Sequence, residues 1–288
     1  METKYGIISD IHRAKPHQVF DAIYVLKNEG IDKLVLNGDL VGDQNQDITQ
    51  TDFFEKVLNY VAQSKIETYI QPGSHEEKTE FGPMINVFSE KYHNIIDLLG
   101  ETNFKQKDHH LAFIPGSNVI AGKVEEGYIT SVKGFNKNLK DPEKTIVFSH
   151  VPRRFNNIDQ TVDYAFFAQF SDGSFGPAQP IMQKINNSFG DISLEKANEI
   201  LQINNLELKE ENRGSQKLKQ LFEINGINKC VSGHFHESVH RANDSAGNYV
   251  KQGEFTNELN WNASYLDEGK IGVLRVIDNK VAYKNLKI

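Results

Sequence analysis

One pattern constrains this chain more than any other: a short apolar run, typical of a buried strand, ends in residues of the types that ligate metals, and it occurs five times. The run at residues 33–37 shows it most plainly, since it stops at Gly38 and Asp39, and a second glycine, Gly42, follows. Ligands of α/β sheets bind in the crevice outside the carboxyl ends of the strands. The pattern therefore predicts a sheet edge that serves as a reaction site. The five segments are residues 6–12, 33–42, 69–76, 145–150 and 230–236.

The stretches between these segments predict helices, so that strands and helices alternate. Residues 17–29 place Phe20, Ile23 and Leu26 at helical spacing, and residues 52–62 form a second apolar face. Three β-α repeats in succession predict a largely parallel sheet. Beyond a weaker helix at 84–92, short strands separated by turns predict a second, more antiparallel sheet. The predicted strands are residues 5–9, 34–37, 67–71, 94–98, 111–114, 118–121, 127–131, 145–149, 229–232, 238–241, 248–251, 264–266, 271–277 and 280–284, with a hairpin turn at Asp278 and Asn279.

The stretch between His150 and His234 is too long to be a bare loop. It predicts an insertion or cap at about residues 153–226 within a single domain of residues 1–288. Its first part, residues 164–175, is rich in aromatic side chains, which either stack a nucleobase or, in the interpretation that we favour, form a small core. Its second part predicts two helices, one capped by Ser193 and one at residues 216–224.

Charge and cysteine content narrow the class of protein. The formal net charge of −7 disfavours non-specific binding of nucleic acid over the whole surface, although a local basic groove remains open. The one cysteine, Cys230, cannot form an internal disulfide, and the chain enters a strand without a charged and then apolar leader. No apolar run approaches the roughly 20 residues that a membrane-spanning helix needs. We therefore expect a soluble, cytoplasmic protein that does not bind membranes.

Taken together and in this order, the five segments resemble the calcineurin-like metallophosphoesterases. The resemblance spans roughly residues 5–236. It implies a four-layer α/β/β/α sandwich in which two mixed sheets face each other and the site lies at one end. The motifs that carry it are Asp10-x-His12, Gly38-Asp39-x-x-Gly42, Gly73-Ser74-His75-Glu76, His150 after a strand, and Gly233-His234-x-His236.

The resemblance implies a centre of two divalent cations, with Asp39 bridging them. A mixed set of oxygen and nitrogen ligands suits Mn, Fe, Zn or Ni better than Mg. A metal-bridging hydroxide would attack phosphorus in line, and His75 would protonate the leaving alkoxide or orient the phosphate. The implied ligands are Asp10, His12, Asp39 and His236 for one cation and Asp39, Ser74, His150 and His234 for the other.

The implied function is hydrolysis of a phosphate ester, with a diester preferred to a monoester. The sequence leaves the substrate open among a cyclic nucleotide, a nucleic-acid end or branch, a nucleotide and a phosphoprotein. A protein phosphatase or other phosphomonoesterase remains an alternative. So does a non-catalytic binding scaffold, because Ser74 stands where the family has asparagine, and a hydroxyl is a poorer neutral ligand with a shorter reach.

Two arginines and five histidines need a separate interpretation. Arg153 and Arg154 follow His150 closely, and either could clamp a phosphate bidentately, although adjacent arginines in a loop are often solvated surface. Any single histidine is more often a core or surface residue than a ligand, but five of the ten histidines follow apolar runs. The remaining five are predicted to be surface residues: His17, His93, His109, His110 and His240.

Overall fold

The computed structural model describes residues 2–41, 49–118, 127–132, 135, 139 and 141–288. Within these residues the chain forms six α-helices and fifteen strands. The helices are α1 (Pro16–Asn28), α2 (Gln50–Ser64), α3 (Lys78–Lys91), α4 (Gln179–Phe189), α5 (Leu194–Leu201) and α6 (Gln216–Asn225). The strands are β1 (Thr3–Ile8), β2 (Lys33–Asn37), β3 (Glu67–Gln71), β4 (Ile95–Asp97), β5 (Asn103–Lys105), β6 (His110–Ile114), β7 (Thr145–Ser149), β8 (Tyr164–Phe170), β9 (Phe175–Pro177), β10 (Leu206–Asn212), β11 (Lys229–Ser232), β12 (Ala242–Asn243), β13 (Leu259–Asn262), β14 (Lys270–Ile277) and β15 (Lys280–Lys287).

The first sheet has the strand order β15-β14-β1-β2-β3-β4. Its strands β1 to β4 are parallel, and β14 pairs antiparallel with both β1 and β15. Ile8 of β1 pairs with Leu36 of β2, which pairs with Ile70 of β3, so these three strands end at the same level. The hairpin turn between β14 and β15 is confirmed, since Asp278 and Asn279 both have positive φ, as a type I′ turn requires.

The second sheet has the order β12-β13-β11-β7-β6-β5. Its four inner strands are parallel, and only the edge strands β12 and β5 are antiparallel. The prediction of a more antiparallel second sheet is therefore wrong. The short strands and turns in the sequence of the second sheet are typical of antiparallel hairpins. However, β7 and β11 are parallel neighbours joined by a long connection, and no local sequence signal marks their pairing.

Three apolar clusters separate four layers, which confirms the α/β/β/α sandwich of two mixed sheets. On the outer side of the first sheet, Leu36 packs in one cluster with Val57 of α2. Between the sheets, Val35 packs in a cluster with Phe148 of β7. Val35 and Leu36 belong to different clusters because neighbouring residues of a strand point to opposite faces. On the outer side of the second sheet, Val147 packs with α6. The helical members of these outer clusters include Val19, Phe54, Phe81, Leu218 and Phe222.

The predicted insertion contains a third sheet, with the antiparallel order β10-β8-β9, while α6 at its end packs on the second sheet. Helices α4 and α5 cover one of its faces through a buried cluster that includes Ile185 and Ala197. The two predicted helices are confirmed: the Ser193 hydroxyl accepts a hydrogen bond from the Lys196 amide at the start of α5, and α6 ends at Gly226, whose φ is 66°. The sequence did not predict α4 or this sheet.

Several predicted strands near the C-terminus are wrong. Residues 238–241 follow a short 3-10 turn at His236–Ser238, residues 248–251 make only an isolated bridge at Tyr249, and residues 264–266 lead into a second such turn at Leu266–Glu268. Their amides make single hydrogen bonds to neighbouring strands and no continuous ladder, as when His240 donates to the Asn262 carbonyl at the end of β13. Residues 127–131 make only isolated bridges as well. Gly42 and most of the strand predicted at 118–121 lie outside the described residues.

The prediction that His109 lies at the surface is also wrong. Its side chain is buried, with Nε2 at 2.6 Å from the Tyr5 hydroxyl and Nδ1 at 2.6 Å from Asp108. Because Tyr5 lies between the two sheets, this histidine satisfies a hydroxyl that would otherwise be buried alone. His17 and His93 are exposed, as predicted, whereas His110 and His240 are half-buried. His240 Nε2 donates to the Ile271 carbonyl at 3.1 Å, so the prediction of a surface position is wrong for this residue.

None of the helices in the described part of the chain has both the length and the apolar character needed to cross a membrane.

Candidate metal centre

The predicted ligands meet at one end of the sandwich, where the carboxyl ends of strands from both sheets lie together. The first sheet presents them after β1, β2 and β3, and the second after β7 and β11, and all five strands run in parallel within their sheets. Among the described residues, three groups have possible ligand atoms within 4.8 Å of one another. Asp39 and His12 each belong to two groups. The groups are Asp10, His12 and His236; His12, Asp39 and His75; and Asp39, His150 and His234.

The backbone at these strand ends is strained where it delivers ligands. Asp10, Asp39 and His234 have φ values of 55°, 52° and 73°, in the left-handed region that non-glycine residues rarely adopt. Such strain costs about 1–3 kcal/mol per residue and is typical of functional sites. Gly38 adjoins Asp39 with φ of 87°, and a Cβ placed there would lie 2.7 Å from His150 Nδ1. The second sheet can therefore approach this closely only because residue 38 is glycine.

His150 is held in one orientation. It is fully buried, and its Nδ1 donates to the Asn37 carbonyl at 2.9 Å. Its Nε2 consequently faces the centre, 3.0 Å from Asp39 Oδ2 and 3.2 Å from His234 Nδ1. Burial lowers the pKa of His150, but the charge of Asp39 and its contact with the ring, together with Asp10 and the Asn37 carbonyl, raise it to about 10. Burial and the neighbouring His150 lower the pKa of His234 to about 3.

His12 is oriented by Asp267, a residue that the sequence analysis missed. His12 Nδ1 lies 3.1 Å from Asp267 Oδ2, while the other oxygen of that carboxylate accepts the amides of Arg13 and Ala14 at 2.8 and 2.7 Å. Burial lowers the pKa of His12, but the contact with Asp267 and the charge of Asp39 raise it to about 9. A carboxylate that holds one ring nitrogen in this way directs the other nitrogen to a metal.

The Nε2 atom of His12 shows that these residues fit a cation. It is buried, and within the described part of the chain it has no hydrogen-bond partner. It lies 3.9 Å from Asp39 Oδ2, the oxygen that also faces His150. A buried polar atom without a partner is costly, whereas a neutral imidazole nitrogen is a good ligand for transition metals. The site therefore offers ligand atoms of the types that a transition-metal cation prefers.

Glu76 is a second residue that the sequence analysis missed as part of the site. Its buried carboxylate accepts the backbone amides of Leu40 and Val41 through Oε1 and those of Asp39 and Gly73 through Oε2. It thereby ties the loop after β2 to the loop after β3. Burial and the charge of Asp39 raise the pKa of Glu76 to about 7, against the effect of the backbone donors. Its place directly after His75 was the available signal.

Ser74 and His75 both face Asp39. The Ser74 hydroxyl lies 2.9 Å from each carboxylate oxygen of Asp39 and donates to them, so the residue is inside the site. His75 Nε2 lies 3.9 Å from Asp39 Oδ2, and its ring stacks on His12 with 4.6 Å between centroids. The His75 side chain is 23% exposed, whereas that of Asp39 is 3% exposed. His75 thus borders the solvent side of the centre.

The arginines have different surroundings. Arg153 is buried, its guanidinium lies 3.4 Å from Glu223 of α6, and it stacks over Phe155 at 4.8 Å. Its contacts therefore lead to the outer helix of the second sheet. Arg154 is exposed. Binding of phosphate by either arginine stays a prediction.

Tyr265 completes one wall of the site. Its ring stacks on His236 with 3.9 Å between centroids and 13° between planes. His236 Nε2 lies 3.4 Å from Asp10 Oδ1, and Asp10 also accepts the His234 amide at 3.1 Å. Burial opposes the charged form of Asp10, but His236 and His150 lower its pKa below the usual value.

The fold and the family of the chain follow from comparison with known proteins. Two solved structures match 99% of this chain and 99% of their own: one has 13% identity and a TM-score of 0.59, and TT1561 of Thermus thermophilus has 10% identity and a TM-score of 0.58. Similarity at this identity shows the fold alone. No curated protein matches the chain. The model of the calcineurin-like phosphoesterases matches residues 3–238, which include the three donor groups. This chain therefore belongs to the calcineurin-like phosphoesterase family.

Proposed function

We propose that this protein is a phosphodiesterase that works with two divalent cations at the shared edge of its sheets. The family uses a dinuclear divalent metal centre and hydrolyses phosphoric esters, and the Asp and His clusters of this chain can bind metal. The observation that carries the proposal is that Asp39 belongs to two of the three donor groups. A carboxylate shared in this way can bridge two cations.

Every predicted ligand is assigned to one or both of the two proposed cations. Two cations held by these residues would supply Lewis acidity toward the phosphoryl oxygens and would lower the pKa of the attacking water. The mixed oxygen and nitrogen donors favour Mn, Fe, Zn or Ni. Asp267 and the Asn37 carbonyl support the proposal, because they orient the rings of His12 and His150. The proposed ligands are Asp10, His12, Asp39 and His236 on one side and Asp39, Ser74, His150 and His234 on the other.

His75 is the proposed general acid. It borders the solvent side of Asp39, where a leaving alkoxide would depart, and stacking on His12 restricts its ring. A positioned histidine that protonates a leaving group contributes typically about 10²- to 10⁴-fold in rate. The contribution depends on the leaving group, since an alkoxide of high pKa needs the proton most.

Charge favours a diester over a monoester. A phosphomonoester carries about −1.5 to −2 at pH 7, because its second ionisation has a pKa near 6, whereas a diester carries one charge. Of the two arginines beside His150, Arg153 is already balanced by Glu223. The site therefore has less positive charge for a dianion than the sequence suggested.

We also propose a cytoplasmic location, because the Cys230 thiol is buried and free.

A second candidate is a non-catalytic scaffold, which the Ser74 position favours. In place of the amide oxygen of the family, the chain offers a hydroxyl that donates to Asp39. If the second cation is held too weakly, the fold keeps its shape without turnover.

Hydrolysis of bis(4-nitrophenyl) phosphate and of 4-nitrophenyl phosphate, each with added Mn, tests the proposal. We expect a higher kcat/KM for the diester and loss of activity with a chelator. A higher kcat/KM for the monoester would replace the proposal with a phosphomonoesterase or protein phosphatase. Absence of both turnover and bound metal would favour the scaffold.

A further inference from the structure

The sheet of the insertion has two faces of different character. Side chains alternate along a strand, and residues paired across antiparallel strands share a face. One face carries Ala168 and its partner Leu208, which are buried against α4 and α5. The opposite face carries Phe167, two residues before Gln169, whose partner on β9 is Phe175. Phe167 and Phe175 are therefore on the face opposite to that cluster.

This second face packs against residues that adjoin proposed ligands in sequence. Phe167 packs in one buried cluster with Val151 and Phe235, each of which adjoins a proposed ligand in sequence. The Phe235 ring lies 4.7 Å from that of His234, and the Phe167 ring lies 5.9 Å from that of Phe175. His234 thus contacts Phe235, Phe175 contacts Phe167, and Phe235 and Phe167 belong to the same buried cluster.

Arg213 joins the two rings. Its guanidinium carbon lies 4.5 Å from the centre of the Phe167 ring and 4.5 Å from that of Phe175. Among the described residues, Arg213 makes one ion pair, with Glu211. The distance is 4.0 Å, which is the limit for such a contact. Phe175 is 50% exposed, so it does not belong to the small core predicted for these aromatic residues. An exposed ring that already lies against a cation is a candidate surface for stacking a ligand.

We propose that Phe175 and Arg213, which contact the buried ring of Phe167, form a platform that binds the base of a nucleoside phosphate ester, with the phosphate directed to the metal centre. Bases stack on aromatic side chains because every base has a flat π face, and arginine binds phosphate oxygens through its planar fork. The inference rests on the proposed function and narrows its substrate to esters of nucleotides.

The charges around the platform favour a small nucleotide over a nucleic acid. Glu207 and Glu211 share its face, since they pair with Gln169 and Ala165 on β8. The one lysine on this part of β10, Lys209, lies 3.1 Å from Glu207. A polynucleotide needs a basic track along its backbone, and the chain carries a net charge of −7. The charges of the platform therefore suit a ligand that carries one phosphate group and one base.

Two esters with the same leaving group test the platform. One is the 4-nitrophenyl ester of adenosine 5′-monophosphate, and the other is methyl 4-nitrophenyl phosphate, which lacks the base. Both are assayed with Mn. We expect the nucleoside ester to have the lower KM in the wild-type protein. The Phe175→Leu variant should raise that KM about 5- to 100-fold more than it raises the KM for the methyl ester, which is the loss expected for one stacked base.

Phe170→Leu is the matched control. Phe170 is 40% exposed and belongs to the same hairpin, but it lies on the opposite face of the sheet. It should retain the preference for the nucleoside ester. Equal KM values for the two esters in the wild-type protein would overturn the platform, and so would equal effects of the Phe175 and Phe170 substitutions.

Binding of adenosine 5′-monophosphate, measured by calorimetry with Mn present, separates this inference from the proposed function. If neither ester is hydrolysed but the nucleotide binds at least about 5-fold more weakly to Phe175→Leu than to Phe170→Leu, the platform stands and the proposed function fails. If turnover is normal but the nucleotide binds equally to both variants, the platform fails and the proposed function stands. Absence of both turnover and nucleotide binding would overturn both.

Discussion

Replacement of Asp267 by asparagine should weaken metal binding while leaving the fold intact. One oxygen of this carboxylate accepts the amides of Arg13 and Ala14, and an asparagine carbonyl can accept both. The other oxygen lies 3.1 Å from His12 Nδ1. In Asp267→Asn an amide NH₂ occupies that place. Because two donors cannot face each other, the proton of neutral His12 moves to Nε2 and removes the lone pair that would bind the cation.

The magnitude follows from the role of such partners. Loss of a carboxylate that orients a metal-bound histidine typically costs about 10- to 100-fold in affinity, which is about 1.4–2.7 kcal/mol. The pKa of His12 works in the opposite direction. Asp267 helps to raise that pKa to about 9, so its loss makes deprotonation of His12 easier and offsets part of the defect at low pH. The ratio of mutant to wild-type Kd should therefore be larger at about pH 8.5 than at about pH 6.5.

Calorimetric titration of the metal-free protein with Mn at these two pH values measures the effect. Glu268→Gln is the matched control, because it removes the same charge from the same 3-10 turn, at an exposed side chain that pairs with Lys270 at 2.7 Å. Thermal unfolding without metal should give similar midpoints for both variants. Equal Mn affinities for Asp267→Asn and Glu268→Gln would refute the role of Asp267, as would a Kd ratio that is larger at the lower pH.

Four further substitutions test the centre and its surroundings. Asp39→Asn should lose both cations in a metal analysis, because it removes the charge that they share, and full occupancy would contradict the bridging role. His75→Ala should keep the metals and lower turnover of an alkyl ester about 10²- to 10⁴-fold, with a small effect on 4-nitrophenyl esters; a normal rate on the alkyl ester would refute the general acid. Ser74→Asn should lower the Mn concentration at half-maximal turnover, whereas a lower maximal rate would indicate crowding. His240→Asn should make the free energy of unfolding depend less on pH in acid. Burial lowers the pKa of His240 from 6.5 to about 4, so the unfolded chain binds more protons than the folded chain between these pH values. The stability of the wild-type protein therefore falls as the pH drops from 6.5 to 4. Asparagine tolerates the φ of 69° at this position, and equal slopes in urea unfolding between about pH 4 and 7 would contradict this account.

The sequence determined the strand ends and the residues placed on them. Asp39 illustrates this, because an apolar run, a glycine and a carboxylate within a few residues specify a strand that ends in a possible ligand. The same holds for His150 after β7. Since five such ends are encoded locally, the candidate ligands could be listed before any contact between the sheets was known, whereas their division between two cations came from the family resemblance. The parallel, in-register pairing of β1, β2 and β3 then brings their ends to one level.

The tertiary structure decided which residues support those ligands. Asp267 meets Arg13 across 254 positions of sequence, in a short turn that no periodicity marks. Arg153 adjoins His150 in sequence, yet its guanidinium turns to Glu223 on the outer helix. Phe175 lies beside Phe167 only because β8 and β9 pair. The physical reason is common to all three. Hydrogen bonds, ion pairs and ring contacts between distant segments depend on how the layers pack, and a pattern of neighbouring residues carries no information about that packing.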